Sequence, residues 1–357
     1  MKSVFTTTLI TCMALYNAAA FAQDDNKPMN QIQIIGSHNS YRKAIEPQLF
    51  DAVQSLDAGR DLSGLQYEHI EITKQLDMGL RNLEIDIHAD TKGGRYAHPK
   101  GLEMATPTEP YNTDGAMDKP GFKVFHMLDI DFRTWYSTFD GLLAALKKWS
   151  NEHPTHEPIF ITLEPKDGDG HFGTTEEEFT SKVFDDVDIT IINGLGADKL
   201  ITPDMVRGNY KTLEAAVLKG NWPKLKDARG KFMFILDNSG KKRDVYKEGH
   251  PSLKGRVVFI NAEPGTPEAA ALFRNNPEDK TIPELVKKGY IIRTRADADT
   301  KQARANDYSH FEAAKKSGAQ IITTDYYLPS KIFPSSYQIS FDNKAYVRVN
   351  PVTGKTK

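Results

Sequence analysis

The sequence predicts an α/β protein built as a single (β/α)8 TIM barrel, and three observations support this fold class. Apolar runs typical of strands alternate with helix-like segments over about 300 residues, which is the length and order of such a barrel. Several runs, such as residues 159–161, are continuously apolar, as expected for strands buried on both faces of a parallel sheet. Polar residues follow five of the runs, where a barrel would gather them at one mouth.

The first 22 residues are predicted to be a secretory signal peptide that precedes one domain over 23–357. Lys2 supplies a positive charge, an apolar stretch follows, and residues 20–22 (Ala-Phe-Ala) form a small-x-small cleavage site. The stretch is shorter than the roughly 20 residues of a membrane-spanning helix. Cleavage would remove Cys12, the one cysteine, and with it any disulfide or thiolate metal ligand. We therefore expect a secreted or periplasmic protein, with a lipoprotein box ending at Cys12 as the weaker alternative.

Eight strands are predicted from apolar runs rich in β-branched and aromatic residues. They cover residues 31–37, 82–87, 122–125, 159–163, 232–236, 257–260, 290–293 and 321–323. Their number is that of a closed barrel, in which helices pack outside the strands.

Helix-like segments lie between these strands. They cover residues 69–79, 138–151, 174–184, 212–219, 267–273, 282–288 and 307–317. Two of them end at Gly289 and Gly318, the residue type that commonly stops a helix. The long connections 89–119 and 166–230 are expected to form active-site walls or lids. Residues 335–350 alternate in polarity on both sides of a turn, which predicts a small C-terminal hairpin.

The charge balance argues against a nucleic-acid partner. The chain has 46 basic and 48 acidic residues and a formal net charge of −2. Bulk attraction to nucleic acid or to an anionic membrane needs a clustered excess of Lys and Arg. The sequence also has no obvious apolar ridge or polybasic segment for docking on a bilayer. We expect a monomer that acts on a small molecule and makes at most transient contact with a membrane surface.

Four polar side chains at predicted strand ends form a candidate metal site. Glu84 and Asp86 are two positions apart on one strand and therefore point to the same face. With Glu164 and the amide oxygen of Asn39, they make an all-oxygen cluster with three negative charges. Carboxylates this close need a cation, and oxygen ligands spread over several strands favour Ca²⁺ over Mg²⁺ or Zn²⁺.

Two histidines, His38 and His126, are predicted to lie beside this cluster. A pair of histidines next to a metal suits phosphoryl transfer, where one group stabilises charge and another moves a proton near neutral pH. The cation would neutralise phosphate oxygens and activate the attacking hydroxyl. The alternative for the carboxylates is a structural salt-bridge network with Arg81 or Lys166.

Five motifs resemble the catalytic X-region of calcium-dependent phosphoinositide-specific phospholipase C, in its bacterial secreted branch. They are residues 35–41 (IGSHNSY), 83–86 (LEID), 125–126 (FH), 162–166 (TLEPK) and 322–326 (ITTDY). The resemblance spans most of the mature chain and implies the phospholipase C-like type of TIM barrel. The related glycerophosphodiester phosphodiesterases typically have His-Arg-Gly where this chain has His38-Asn39. They are the rival enzyme, and a non-catalytic secreted binding protein is the rival of another class.

The resemblance implies a role for each residue of the metal and catalytic sets. The Ca²⁺ ligands would be Asn39, Glu84, Asp86 and Glu164, and the catalytic pair would be His38 and His126. The inositol 2-hydroxyl would attack phosphorus, and the products would be inositol 1,2-cyclic phosphate and diacylglycerol. Either Glu84 or Glu164 would accept the proton of that hydroxyl. His126 would act as general acid and His38 would stabilise the transition state.

Four further residues are expected to bind the substrate, either an inositol phospholipid or a soluble inositol phosphodiester. They are Lys166, Arg293, Arg295 and Asp325. The two arginines could equally be structural partners of Asp297 and Asp299, because arginine serves both roles. Asp325 follows the last predicted strand, and its expected contact is a hydrogen bond to the substrate or to a neighbouring loop.

Overall fold

The protein folds as an α/β barrel of eight parallel strands within the residues that the computed structural model describes. These are 25–56, 59, 61–168 and 174–354, so the predicted signal peptide lies outside the described residues. The strands are β1 (Ile32–Ser37), β2 (Asn82–His88), β3 (Ile159–Lys166), β4 (Phe232–Leu236), β5 (Val258–Ile260), β6 (Ala271–Phe273), β7 (Ile291–Arg295) and β8 (Ile321–Thr324). The predicted (β/α)8 fold class is thus confirmed.

The strands follow the spatial order β5-β4-β3-β2-β1-β8-β7-β6, which leaves β5 and β6 to meet and close the barrel. Their junction is one parallel bridge between Asn261 and Ala271. The Asn261 side chain adds to it, because its Oδ1 accepts the Phe273 N–H at 3.1 Å. The barrel is therefore nearly closed, with a seam at this junction.

Helices surround the barrel and, in the described ranges, twelve are α-helical. They are α1 (Pro47–Leu56), α2 (Ile72–Met78), α3 (Gly101–Met104), α4 (Phe139–Glu152), α5 (Ser181–Leu195), α6 (Pro203–Arg207), α7 (Leu213–Leu218), α8 (Leu225–Ala228), α9 (Lys241–Lys247), α10 (Ile282–Lys288), α11 (Lys301–Ala305) and α12 (Ser309–Ser317). Short 3-10 turns lie at Met29–Gln31, Ser63–Leu65, Ala116–Asp118, Ala197–Lys199, Pro251–Leu253 and Asp342–Lys344. In the described part of the chain, no helix combines the length and the apolarity that crossing a membrane requires.

The contact between β1 and β2 requires a glycine just before the site. A Cβ atom added at Gly36 would lie 2.3 Å from the Asn82 carbonyl oxygen, closer than real Cβ contacts come. Gly36 therefore lets the two strands approach. Because β1 ends at Ser37, this approach brings His38 beside β2.

The predicted strand at 122–125 is not part of the barrel, and the predicted helix at 267–273 is wrong. Lys123 forms only isolated antiparallel bridges, with His88 at the end of β2 and with Thr138, so this segment cannot continue a parallel sheet. Its apolar residues are instead buried in the connection between β2 and α4. The missing barrel strand is β6, where residues 271–273 pair with β7 despite a preceding alanine run. Tertiary pairing there overrides the helix propensity of alanine.

The predicted helix at 174–184 begins later, at Ser181. The Thr180 hydroxyl accepts the Val183 N–H and caps the helix that runs to Leu195. Upstream, the Glu177 carboxylate accepts the N–H and the hydroxyl of Thr91, which holds the segment against the end of β2. Residues 174–180 are therefore not helical, and the contact with Thr91 takes the place of the first part of the predicted helix.

The predicted C-terminal hairpin over 335–350 forms its turn but not its pair of strands. The chain reverses at Asp342–Lys344, where the Phe341 N–H donates to the Ala345 carbonyl at 2.8 Å. The second arm is β9 (Val347–Val349), and it pairs antiparallel with residues 32–34 of β1. The first arm is not a strand, and its Ile339 N–H donates to the Tyr326 carbonyl. β2 pairs with β1 only at residues 36 and 37, so β9 pairs with the start of β1 that β2 leaves unpaired.

Candidate active site

His38 lies directly after β1, where a tight turn directs it toward β2 and β8. Its Nδ1 lies 2.8 Å from Asp325 Oδ1, and its Nε2 lies 3.5 Å from Glu84 Oε1. A carboxylate only accepts hydrogen bonds, so Nδ1 carries the proton and Nε2 offers a lone pair. Arg295 Nη2 is farther from Nδ1, at 3.4 Å, and does not change this assignment. Burial, and then the charge of Arg295, lower the pKa of His38 well below its usual value.

A buried hydrogen-bond network fixes the turn that carries His38. Asn39 has a left-handed backbone with φ of 49°. Ser40 joins the turn to Glu84 twice, because its N–H donates to the Glu84 carbonyl at 2.9 Å and its Oγ accepts the Glu84 N–H at 2.8 Å. The Gln75 side chain of α2 donates to the Ser40 carbonyl at 2.7 Å, and His69 Nε2 donates to the His38 carbonyl at 2.6 Å. The catalytic candidate and the first carboxylate are thus held as one unit.

Three carboxylates converge at the mouth on the side of β2, β3 and β4. They are those of Glu84, Glu164 and Asp237, each of which offers an oxygen within 4.8 Å of the others. Two oxygens bound at about 2.4 Å to the same Ca²⁺ lie at most about 4.8 Å apart, so the spacing fits that ion. The donors are oxygens from three different strands, which also fits Ca²⁺. These residues can therefore hold the metal that the sequence predicted.

Asp237 was not among the predicted ligands, although the same positional rule points to it. It follows β4 directly, as His38 follows β1. Burial raises the pKa of Asp237 to about 7, against the opposing charge of Arg293. An acidic residue directly after the fifth predicted strand, residues 232–236, was the available signal.

The predicted ligands Asp86 and Asn39 have other contacts in this structure. Asp86 is buried and lies 3.3 Å from Lys166 Nζ through its Oδ2. Among the described residues, neither of its oxygens accepts a hydrogen bond of good geometry. The Asn39 amide oxygen accepts the Tyr41 hydroxyl at 3.3 Å, and its Nδ2 donates to Tyr67 at 2.8 Å. Their roles as metal ligands stay a prediction.

Two cations of the chain itself contact the carboxylates. Lys166 Nζ lies 2.7 Å from Glu164 Oε1, and Arg293 donates to Glu84 Oε2. The salt-bridge alternative is thus realised for Lys166, whereas Arg81 pairs with Glu157 outside the site. Burial opposes ionisation of Glu164, but the charge and hydrogen bond of Lys166, together with weaker effects of other nearby cations, outweigh it and lower the pKa of that carboxyl.

The two arginines of β7 contact groups of the site, and one of them also contacts an acidic residue that follows the strand. Arg293 donates to Asn275, and Arg295 Nη2 lies 3.6 Å from Asp325 Oδ2. Arg295 Nε also donates to the Asp297 carbonyl at 3.0 Å, and its charge acts on the Asp297 carboxyl, whereas Asp299 pairs with Lys301. The structural alternative is therefore realised in part, for Arg295 with Asp297, and the role of both arginines in substrate binding stays a prediction.

His126 is held by a buried ion pair that the sequence did not reveal. Its Nδ1 lies 2.7 Å from Asp131 Oδ2, which also accepts from Arg42 Nε at 2.6 Å. Arg42 is fully buried, and its guanidinium also donates to the backbone carbonyls of Leu65 and Tyr67. Burial opposes ionisation of Asp131, but the charges and hydrogen bonds of Arg42 and His126 together outweigh it and lower the pKa of that carboxyl. Asp131 is therefore a carboxylate, and it fixes His126 with Nδ1 protonated.

One open pocket at the mouth contains most of these groups. It is lined by His38, Glu84, Glu164, Asp237, Asn238, Ser239, Asn275, Arg293 and Arg295. His126 lies close enough for its charge to act on His38 and Glu164. A wholly polar pocket of both charge signs suits a ligand that carries a phosphate and several hydroxyls.

The sequence matches a family model over residues 28–351, and the description of that family is phosphoinositide phospholipase C, Ca²⁺-dependent. No curated protein matches the chain significantly.

Two solved structures illustrate the similarity of fold. One is a calcium-dependent phosphoinositol-specific phospholipase C from a Gram-negative Pseudomonas species, described as an apo form and myoinositol complex, at 18% identity and a TM-score of 0.53. The match covers 92% of this chain and 96% of that one. The other is a Ca²⁺-dependent phosphatidylinositol-specific phospholipase C from Streptomyces antibioticus, at 17% identity and a TM-score of 0.53. That match covers 86% of this chain and 97% of the other.

Proposed function

From the premise that this chain belongs to the family of Ca²⁺-dependent phosphoinositide phospholipases C, we propose that it cleaves inositol phospholipids by attack of the inositol 2-hydroxyl on phosphorus. The products are inositol 1,2-cyclic phosphate and diacylglycerol. The observation that carries the proposal is the combination of two histidine–carboxylate pairs with a group of three carboxylates at one mouth. The chemistry needs a base, an acid and neutralisation of the phosphate, and each has a candidate here.

His38 is proposed to accept the proton of the 2-hydroxyl at Nε2. Asp325 holds Nδ1–H at 2.8 Å, so Nε2 is the atom that remains free to accept. The sequence-based expectation gave His38 a purely stabilising role and gave the proton to Glu84 or Glu164. Glu84 Oε1, 3.5 Å from Nε2, can still relay that proton. Asp325 acts by orienting His38.

His126 is proposed to donate a proton from Nε2 to the leaving alcohol. Its Nδ1 donates a hydrogen bond to Asp131, and the buried Arg42 holds the Asp131 carboxylate in position. Asp131 and Arg42 are therefore positioning residues, since they act on the reaction through His126.

Glu84, Glu164 and Asp237 are proposed to hold Ca²⁺, with Asn39 and Asp86 as further predicted ligands. When bound, the ion supplies positive charge that neutralises phosphate oxygens and favours ionisation of the attacking hydroxyl. Arg293 and Arg295 line the same pocket and are proposed to bind the phosphate or the inositol hydroxyls.

The test supplies phosphatidylinositol and glycerophosphocholine separately, each with Ca²⁺, and follows the products by phosphorus NMR. We expect a water-soluble inositol cyclic phosphate from the first substrate and nothing from the second. Release of glycerol 3-phosphate from the second would instead support the glycerophosphodiesterase alternative. A soluble inositol phosphodiester tested in parallel tells whether the lipid part is needed.

We also propose that the chain is exported through residues 1–22 and acts as a monomer. The support for export is the pattern of the N-terminal sequence, with its charged start, apolar stretch and small-x-small site. N-terminal sequencing of the secreted protein should begin at Gln23. A first residue at Cys12 would point to the lipoprotein alternative.

A further inference from the structure

A second buried carboxyl contacts the chain at Asp325, the partner of His38. It belongs to Asp297, which is fully buried and follows the end of β7 by two residues. Its Oδ1 accepts the Asp325 N–H at 2.8 Å, and its Oδ2 accepts the hydroxyl of Thr324, the last residue of β8. One carboxyl therefore binds two successive residues at the point where β8 ends.

The segment that Asp297 holds also contacts His38 twice. The His38 N–H donates to the Thr324 carbonyl at 3.2 Å, and His38 Nδ1 lies 2.8 Å from Asp325 Oδ1. Arg295 belongs to the same arrangement, since its Nε donates to the Asp297 carbonyl at 3.0 Å and its Nη2 lies 3.6 Å from Asp325 Oδ2. Asp297 thus fixes the position from which the Asp325 carboxylate reaches the ring.

Asp297 acts as a hydrogen-bond acceptor more than as a charge. Within the described ranges its carboxyl oxygens form no ion pair, because Arg295 contacts only its backbone carbonyl. The Tyr337 hydroxyl donates to the Ala296 carbonyl at 3.2 Å and lies 3.5 Å from Asp297 Oδ2. Burial, and then the charge of Asp325, raise the pKa of Asp297 to about 7. Its charge is therefore partly lost near neutral pH, and its acceptor oxygens are the property to test.

We propose that Asp297 is a positioning residue for His38 that acts through the backbone of Asp325. By accepting the Asp325 N–H, it keeps the Asp325 carboxylate on Nδ1 of His38. The ring then stays in the tautomer with Nδ1 protonated and Nε2 free to accept a proton. Without that acceptor, the Asp325 carboxylate loses its fixed position and the tautomer with Nε2 protonated becomes populated. The tautomer is a property of the protein alone, and its effect on turnover rests on the proposed function.

The experiment measures the tautomer of His38 by nitrogen NMR of the histidine-labelled mature chain, without substrate. His38→Gln identifies the signals of this ring. Asp297→Ala removes the acceptor and should give a mixture of both tautomers, where the wild type has Nδ1 protonated alone. Asp297→Asn keeps an acceptor oxygen for the Asp325 N–H and should retain the wild-type tautomer.

Turnover of phosphatidylinositol is the second measurement. Asp297→Ala should lower kcat about 30-fold, because a misplaced catalytic group costs up to about 10²-fold. KM should change less than about twofold, since Asp297 is not part of the pocket wall. Asp297→Asn should stay within about threefold of the wild-type kcat.

Asp188→Ala is the matched control for the loss of a buried carboxyl. Asp188 is buried on α5, outside the site, and also accepts a tyrosine hydroxyl, that of Tyr246 at 2.8 Å. This variant should lower the melting temperature, as Asp297→Ala does, and leave kcat and the tautomer of His38 unchanged. If Asp297→Ala does not fold, Asp297→Ser takes its place, because its hydroxyl ends one bond short of the carboxyl oxygens and leaves a smaller void. It should shift the tautomer in the same direction.

The outcomes separate this inference from the function. A wild-type tautomer in Asp297→Ala or Asp297→Ser overturns it, because Asp325 is then held without Asp297. An equal shift in Asp297→Asn or in Asp188→Ala also overturns it, since the acceptor would not be the cause. A wild type that does not cleave phosphatidylinositol overturns the proposed function, whereas a shifted tautomer in Asp297→Ala alone still supports the positioning of His38.

Discussion

The two halves of the barrel are built differently. β2 pairs with β3 through seven residue pairs and β3 with β4 through five, whereas β5 and β6 have three residues each and meet at one bridge. The long-strand half, β1 to β4, carries the three carboxylates of the candidate metal site. The short-strand half, β5 to β8, supplies Arg293, Arg295 and Asp325.

The difference shows that the charges of the site are positioned in two ways. Backbone ladders fix Glu84 and Glu164 close together, so their spacing does not depend on a bound cation. Arg293 is fixed by side-chain contacts with Glu84 and Asn275, which join one half to the other. Changes to the catalytic histidines of the long-strand half should therefore mostly affect chemistry, and changes that break contacts between the halves should mostly affect stability.

The largest expected effect is a loss of catalytic rate from a substitution in the long-strand half that leaves the protein folded. His126→Ala should lower kcat on phosphatidylinositol about 10³-fold, because a general acid contributes roughly that much. On a p-nitrophenyl inositol phosphate the loss should shrink to about tenfold or less, since that leaving group needs no proton. Melting temperature, measured alongside, should not change.

The matched control for this variant is His153→Ala, at the exposed end of α4. It should keep the wild-type kcat on both substrates. An equal loss by His126→Ala on both substrates would show that His126 is not the acid for the leaving group.

The second effect breaks the ion pair that links the two halves. Glu84 and Arg293 are each 2% exposed, so Glu84→Gln leaves a buried guanidinium without its partner. We expect a loss of about 3 kcal/mol in the free energy of unfolding, measured in urea. Glu84→Gln/Arg293→Met should recover most of it, because no buried charge is left unpaired.

The comparison for this pair is Asp186→Asn, which breaks the exposed pair with Lys182 on α5 and should cost at most about 0.5 kcal/mol. If the double variant is as unstable as Glu84→Gln, the pair does not couple the halves.

The third effect is a pH dependence in the long-strand half. Burial lowers the pKa of His156 to about 4, and its ring lies between Ser150 and the Glu157 carbonyl near the start of β3. Its usual pKa is about 6.5, so protonation favours the unfolded chain, and stability present above pH 6.5 is lost as the pH falls toward 4. The loss should reach at most about 3 kcal/mol.

Urea unfolding at several pH values measures this loss. His156→Gln should flatten the decline between pH 6.5 and 4. An unchanged slope in that variant would assign the decline to other groups.

The smallest effect probes the seam. Asn261→Ala removes the acceptor of the partly buried Phe273 N–H and should cost about 1–2 kcal/mol. Hydrogen exchange should accelerate in β5 and β6 because one bridge remains there. The comparison is Asn82→Ala in β2, which also loses side-chain hydrogen bonds, to Phe160 and Thr162, but keeps its ladder. Equal acceleration in both variants would mean that the seam is no weaker than the long-strand half.

The fold could be predicted because continuous apolar runs and their spacing report buried parallel strands directly. The exceptions are instructive. Residues 122–125 have the apolar sequence that is typical of a strand. Val124 and Phe125 are apolar because they are buried, and a buried connection between two elements needs the same apolar residues as a buried strand. Residues 271–273 look helical because alanines precede them, and only the partner strand β7 makes them a strand.

The candidate site divides in a similar way. His38, Glu84 and Glu164 could be identified because they lie in or just after strands, and Asp237 could have been found by the same rule. Asp131 could not, because its importance depends on Arg42, which is distant in sequence and meets it only after folding. Asp325 was identified without its partner His38 for the same reason.

The pairing of β1 with β8 and β9 has a consequence for the order of folding. His38 and Asp325 are 287 residues apart, and Gln33 and Arg348 are 315 apart. The strand that bears His38 thus gains most of its neighbours only after nearly the whole chain is synthesised. Such distant pairing is slow, because a large loop must close before any contact forms. A nascent chain of this protein would stay incomplete, and open to a translocation channel or to chaperones, until its C-terminal strands emerge.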